Sequence, residues 1–438
     1  MKYFSYLASL YLIVASEMFA QGSGKIVGAV TDAVTGEPLV GATVMIDGTH
    51  YGAAADFEGQ YIIINVPSGA YSLSASAVGY NKTVMKNVQV STALTTTVNL
   101  KLSQSTIMRE EVVIVAEAPM IKKDLTATEA RMSSAEIQNL PLQNLTQLVS
   151  QQAGVSKDAS GGIHIRGGRS TEISYLVNGI SITDDYSRTQ ALEVETESIQ
   201  ELQVISGTFN AEYGNSMSGV VNILTKTGGS SFHGGIEAWS GDYLSNHTNV
   251  FWGIDKIDPA ANYNIQSTLS GPLYTDKATF FLTARRTVNN GYINGINAYS
   301  PQGRSMPGDS SFVSMNSDKR WSAQATFDWQ ISGMFKVKVD ALGSTGVNRY
   351  FDQTYRLDPN GLGSTTTKGV SIITKLTQQL WENTFQEFTV AYKYNENYSR
   401  LYDDPTDPRY VHPDSLNVSG YHYRVAGTNL NRFARNTK

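Results

Sequence analysis

The side chains best able to move protons or bind metals in this 438-residue chain are its six histidines and its 39 Asp and Glu. His50, His164, His233, His247, His412 and His422 are scattered without ligand spacing, and no His-Glu-x-x-His, Gly-x-Ser-x-Gly, Ser-x-x-Lys or Walker-type run occurs. Gly22 to Lys25 reads GSGK but lacks the upstream glycine and the following Ser or Thr of a phosphate loop. Glu110-Glu111 and Asp184-Asp185 are paired carboxylates, yet neighbours in an extended chain point to opposite faces and cannot serve one substrate as acid and base. The absence of cysteine removes disulfides, thiolate metal sites and thiol nucleophiles. A net charge of −5 provides no basic field for nucleic acid. The residues therefore predict no enzyme, no cofactor and no nucleic-acid partner. Arg166 and Arg169, in the loop Arg166-Gly167-Gly168-Arg169, fit either solvated charge or ion pairs that fix one domain inside another.

One stretch of backbone offers what the side chains do not. Residues 109–117, REEVVIVAE, form a β-branched run with charge at both ends. An extended segment of this kind, centred on Glu111, Val112, Val113, Ile114 and Val115, can add itself to the edge of another protein's sheet through main-chain hydrogen bonds. It reads equally as a last strand of the module before it.

The surrounding elements follow from composition and period. With 41% hydrophobic and 17% charged residues, 38 Gly and 24 Tyr, the chain is a folded and mainly β protein. Residues 1–20 have the short basic start, apolar stretch and small residue before Gln21 of a signal peptide. Residues 24–103 alternate short β-rich runs with turns and predict a sandwich, with Val27, Val44, Ile46, Ile62, Ile64 and Leu73 facing inward. Residues 118–230 mix both kinds of element. Ser133 and Glu136 have capping-box spacing ahead of a helix limited by Pro141, and a second helix fits 144–152 with Gly154 as its stop. Asn178-Gly179 between two alternating runs predicts a hairpin, and ESIQELQVISG a helical turn and a strand.

Residues 231–438 carry longer alternating runs. From Trp321 to Ile331 odd positions are apolar and even positions polar, and the same holds around Tyr263–Leu269, Phe335–Ala341 and Phe388–Tyr394. Runs of about ten residues suit a tilted strand through a bilayer better than the strands of soluble sheets. SGPLYTDK is a short turn, whereas Asn289–Phe312 and Asp352–Gly369 are long polar connections, the layout of an outer-membrane barrel.

The ordered blocks IHIRGGRSTEISYLVNGISITD, ESIQELQVISGTFNAEYGNSMSGVVNILTKTGG and NLPLQNLTQLVSQQAGV resemble the plug domain of TonB-dependent outer-membrane receptors. GxVxDxxTGEPLxGAxVxI followed by DFEGQYxIxNVPSGxYxL resembles the carboxypeptidase regulatory-like domain that precedes the plug in receptors of the Bacteroidetes type. The resemblance implies a signal peptide, a non-catalytic sandwich, a TonB box at Glu111–Val115, a plug with its Arg166–Arg169 loop, and the start of a transmembrane antiparallel barrel. It implies transport into the periplasm energised by TonB, a place in outer-membrane lipid and, from the SusC kind, a SusD-like lipoprotein partner. Two features depart from it: Asn178 stands where Asp often precedes Gly, and the box runs into AEAP. About seven strands are counted against about 22 in a complete receptor of this class, so the chain is expected to be an incomplete barrel. A non-transporting surface adhesin or glycan-binding protein built from sandwiches is the competing expectation, and a hydrolase the weaker third. The substrate is not legible.

Overall fold

A computed structural model describes residues 23–104, 112–115, 128–410 and 434–437, less 50, 92–93, 141, 143, 159–160, 208–212, 215, 275–276, 301–302, 382–383, 403, 405 and 409. The expected signal peptide, Glu111 and Pro141 lie outside the described residues. No described helix is long and apolar enough to cross a membrane.

The first module comprises β1 (Ser23–Asp32), β2 (Thr43–Ile46), β3 (Gly52–Ala54), β4 (Gln60–Pro67), β5 (Gly69–Ser76), β6 (Thr83–Val90), β7 (Thr95–Thr97), β8 (Leu100–Leu102) and β9 (Val112–Val115). They form two sheets, one ordered β4-β1-β7 with β8 also on β1, the other β3-β2-β5-β6-β9. Between the sheets Ile26, Val30, Val44, Ile46, Tyr61, Ile63 and Leu73 are buried. Val44, Ile46 and Leu73 face inward as their alternation predicts. Val27, Ile62 and Ile64 do not: Ile62 is 47% exposed and the other two are half-buried. Three consecutive isoleucines carry no alternation, so their parity is set elsewhere, and a slip of one residue turns every side chain over. Tyr61 sets it by donating its buried hydroxyl to the Val98 carbonyl at 2.7 Å. Gly28 sets it too, because a Cβ there would lie 1.7 Å from that carbonyl oxygen.

The second module contains β10 (Thr128–Ser133), α1 (Ser134–Gln138), α2 (Leu145–Ser150), β11 (Val155–Lys157), β12 (Ile163–Ile165), β13 (Ile173–Val177), β14 (Ile180–Ser181), β15 (Ile199–Ser206) and β16 (Gly219–Thr225). Its main sheet runs β10-β15-β16-β13-β14, with β13 and β16 parallel. The capping box of Ser133 and Glu136 starts α1, and Asn144 starts α2 by accepting the Gln147 N–H. Ile137 of α1 and Leu145, Leu148 and Val149 of α2 join Ile173, Val177, Val221 and Ile223 in one core. Asn178 and Gly179, with φ of 49° and 84°, form the tight turn between β13 and β14.

The third module is a curved antiparallel meander. It consists of β17 (His233–Gly241), β18 (Asn262–Pro272), β19 (Ala278–Asn289), β24 (Asp318–Gln330), β25 (Phe335–Asn348), β26 (Ser364–Trp381), β27 (Thr384–Arg400) and β28 (Ala434–Thr437), paired in that order. The loop after β19 holds two small hairpins made from β20 (Asn294–Ile296), β21 (Tyr299–Ser300), β22 (Gly303–Pro307) and β23 (Phe312–Ser314). Connections at 273–277, 331–334 and 382–383 are short, and those at 242–261, 290–317 and 349–363 are long, so short turns share one rim and long loops the other. The long connection expected to reach Gly369 ends at Gly363, because Ser364 to Gly369 already pair with β27. A polar, threonine-rich run beyond the apolar band hides a strand that its neighbour nonetheless satisfies.

The alternation along this wall is inverted relative to a soluble sheet. Trp321 and Trp329 are 55% and 44% exposed, whereas Ser322, Gln324 and Thr326 between them are buried. The polar face is covered by the second module and the apolar face is bare. At the short-turn rim, Lys336 of β25 donates to the Tyr51 hydroxyl of the sandwich at 2.9 Å and pairs with Asp328 at 3.1 Å. Replacing Ile63 by Ala should destabilise the sandwich by about 2–4 kcal/mol, whereas Ile62→Ala should change it by under about 0.5 kcal/mol. Chemical denaturation followed by circular dichroism distinguishes the two positions.

Candidate functional site

The second module meets the wall through side chains placed by its turns. In the β13–β14 turn, the Asn178 Nδ2 donates to Asp340 Oδ2 and to Thr225 Oγ1, both at 2.9 Å, while its Oδ1 accepts the Thr225 N–H at 3.1 Å. Thr225 at the end of β16 and Thr326 on β24 donate their hydroxyls to Asp340 Oδ1 at 2.8 and 2.9 Å. Lys338 pairs with Asp340 at 3.4 Å and donates to Thr225 Oγ1 at 3.1 Å. Asp340 is 2% exposed, so the cost of removing its charge from water is offset by three hydroxyl or amide donors and one ammonium. An aspartate at 178 has no amide to donate and would set a second carboxylate against Asp340. The departure of Asn178 from the family pattern thus has a local reason.

A second contact is charged. Glu195, 1% exposed, accepts from Arg285 at 3.2 Å and from the Ser322 hydroxyl. Glu193 pairs with Arg320 on β24. A third lies beyond β14, where Asn395 donates to Asp184 and Lys393 donates to the Thr183 carbonyl at 2.8 Å. Asp184 also caps its own turn by accepting the N–H groups of Tyr186 and Ser187, while Asp185 is exposed. The two aspartates therefore do not act as an acid and base pair. Apolar contact is sparse: Leu342 and Ile373 from the wall join the module's core, and Leu192 fills the space over Gly369, where a Cβ would come within 2.5 Å of it.

The Arg166–Arg169 loop has a different character. Arg166 and Gly167 both have positive φ, 48° and 78°, with the Arg166 N–H donated to the Gly154 carbonyl at 2.8 Å. Gly168 lies against Ser218, whose Cβ would be 2.2 Å from a Cβ at 168. Both guanidiniums are exposed, and among the described residues neither forms an ion pair. The ion pairs weighed for Arg166 and Arg169 are made instead by Arg285 and Arg320. Charged residues on the polar face of the long strands, those at 285, 320, 340 and 393 among them, are the signal that could have marked these positions.

His164 ties this loop down. Its Nδ1 faces the Gly168 carbonyl at 2.8 Å and its Nε2 faces Asp158 Oδ2 at 2.9 Å. Both partners accept, and a neutral imidazole has a single N–H, so both bonds require the imidazolium. Asp158 first, and the Gly168 carbonyl second, hold its pKa above the usual histidine value. Among the described residues no group of three or more His, Asp or Glu is placed to hold a metal.

Of the coupling run, Val112–Val115 form β9, which pairs parallel with β6, Thr83 opposite Val112 and Lys86 opposite Val115. The last-strand reading thus describes their resting position. Residues 26–114 match the CarboxypepD_reg-like domain, and residues 121–221 match the TonB-dependent receptor plug domain. The chain carries the plug domain of the TonB-dependent receptors. Its place is the outer membrane, with Trp321, Trp329, Val390 and Tyr392 on the face turned away from the plug. It is 26% identical over 294 residues to the TonB-dependent transporter Oar of Myxococcus xanthus, covering 62% of this chain and 27% of that protein. It is 27% identical over 382 residues to the TonB-dependent receptor SusC of Bacteroides thetaiotaomicron, covering 79% and 36%. The outer membrane transporter YddB of Escherichia coli aligns with a TM-score of 0.48 at 16% identity over 62% of this chain and 39% of that one. The chain thus spans about a quarter to a third of the length of these two curated relatives.

Two expected outcomes follow from the plug contacts. Asn178→Asp should loosen the plug by about 3–5 kcal/mol through like charges in a buried site, and adding Asp340→Asn should restore much of the loss. Hydrogen exchange along β13 and β16 reads both variants. For His164, whose folded pKa is raised, the stabilisation is fully present below about pH 6.5 and is lost as pH rises through the folded value. Protection of the Gly167 and Gly168 amides, taken relative to their intrinsic base-catalysed exchange, should fall over that range in the native chain and stay flat in His164→Gln.

Proposed function

We propose that this receptor imports a substrate across the outer membrane, and that contact with TonB at Glu111–Val115 supplies the energy. The observation that carries the reading is the chemistry of the plug–wall contact. Asp340, Glu195 and Asp184 are met by side-chain donors with little shared apolar core, so the plug is retained by contacts that break one at a time. An apolar interface of the same extent would resist piecewise opening, since burial scales with area and has no individual links.

In this reading substrate binds at the long-loop rim. Tyr243, Tyr292 and Tyr350 are exposed there and Arg356 stacks on Trp252 at 3.8 Å. Tension on the coupling run then passes to β10 and the plug sheet, and the Arg166–Gly167–Gly168–Arg169 loop moves with it. Every step is a rearrangement of hydrogen bonds and ion pairs, so the chain needs neither catalytic residue nor cofactor. The adhesin reading is not favoured, because it asks the polar face of the long strands to meet solvent, and that face is the covered one.

Val113→Pro and Ile114→Pro each remove one backbone donor, and on a strand successive donors point to opposite edges. At least one of the two should weaken binding of the periplasmic domain of TonB by about tenfold or more in the full chain. Equal affinity for both variants and the parent would remove Glu111–Val115 from the coupling role.

A further inference from the structure

The coupling strand is already part of a sheet. β9 is the terminal strand of the order β3-β2-β5-β6-β9, and among the described residues no strand lies on its other side. Its pairing with β6 is parallel and in continuous register from Thr83–Val112 to Lys86–Val115. The match to the regulatory-like domain reaches residue 114 and so includes Val112, Val113 and Ile114.

We infer that TonB recognises β9 in place: a strand from TonB adds to the open edge of β9 while β6 keeps the other edge, and the regulatory-like sandwich is thereby a component of the coupling apparatus. The inference rests on the reading of Val112–Val115 as the coupling run, and it says where that run is when it is read. Two physical arguments favour recognition in place over release. A strand has two hydrogen-bonding edges, and among the described residues only β6 pairs with β9, so a partner strand reaches the second row of N–H and C=O groups without displacing a described strand. A four-residue segment freed from β6 would also lose its extended order, and the partner would have to restore that order on binding. Only an extended backbone complements such an edge, which is why the partner is a β-strand and not a helix or a side-chain pocket.

One mechanical consequence follows. Because β9 is held by the sandwich, a pull on it loads the sandwich first. The sandwich is in turn held to the foot of the wall by Tyr51 on Lys336. Tension would break that contact before it reaches the plug through residues 116–127, so the sandwich leaves the short-turn rim ahead of the plug.

The chain has no cysteine, so two introduced thiols have only each other to react with. Lys86→Cys with Val115→Cys uses facing positions at the end of the pairing, with Lys86 exposed. Oxidation fastens β9 to β6 in the full chain, and binding of the TonB periplasmic domain is compared before and after reduction. Recognition in place predicts affinities that agree within about twofold. A loss of about tenfold or more on oxidation, recovered on reduction, would mean that β9 must leave the sandwich, and the inference would be overturned while the coupling role stands. Should Lys86→Cys with Val115→Cys not fold, Val84→Cys with Val113→Cys gives the same comparison from the middle of the pairing. If Val113→Pro and Ile114→Pro bind like the parent, the coupling role fails first and this inference fails with it.

Discussion

A carboxylate almost without water holds this molecule together. Asp340 is useful to the fold only because the plug brings Asn178 and Thr225 to it while the wall brings Thr326 and Lys338. A buried charge with donors from one side alone would be better replaced by an apolar residue, since desolvation then exceeds what the partners return. With donors from both sides, the same group specifies one seating of plug on wall. Glu195 repeats the logic with Arg285 and Ser322. The plug and wall therefore share few apolar side chains, and each module keeps its own core.

The polar inner face of the wall is a consequence of the same arrangement. Long strands in lipid must put apolar side chains outward, and a period of two then forces every other residue inward. Those inward residues become a surface for hydrogen bonds, which the plug's turns exploit at the β13–β14 turn, at 193–195 and at 184. The loop from Arg166 to Arg169 stands apart from these contacts: its shape is made by two positive φ angles and by His164, and its charges stay in water.

The sandwich adds a constraint of another kind. Its core is ordinary, but its second sheet ends on β9, whose outer edge meets no other strand among the described residues. Natural sheets usually blunt such edges with charge or bulges. Here the charged residues flank the strand, at Arg109, Glu110, Glu111 and Glu117, and leave the four β-branched positions free of it. That arrangement suits an edge meant to be paired.

Local pattern alone determined much of this molecule. The capping box at Ser133, the helix starting at Asn144, the turn at Asn178-Gly179 and the two-residue period of the long strands are each encoded within a few residues, where spacing and turn chemistry decide. The resemblance then named the modules. Tertiary structure decided the rest. The parity of Ile62 to Ile64 depends on Tyr61 reaching Val98, the partners of Asp340 and Glu195 lie 162 and 90 residues away, and Lys336 meets Tyr51 across 285. A sequence states which side chains are charged and which face they share, but which charge meets which is set by where distant backbones come to rest, and no local period carries that distance.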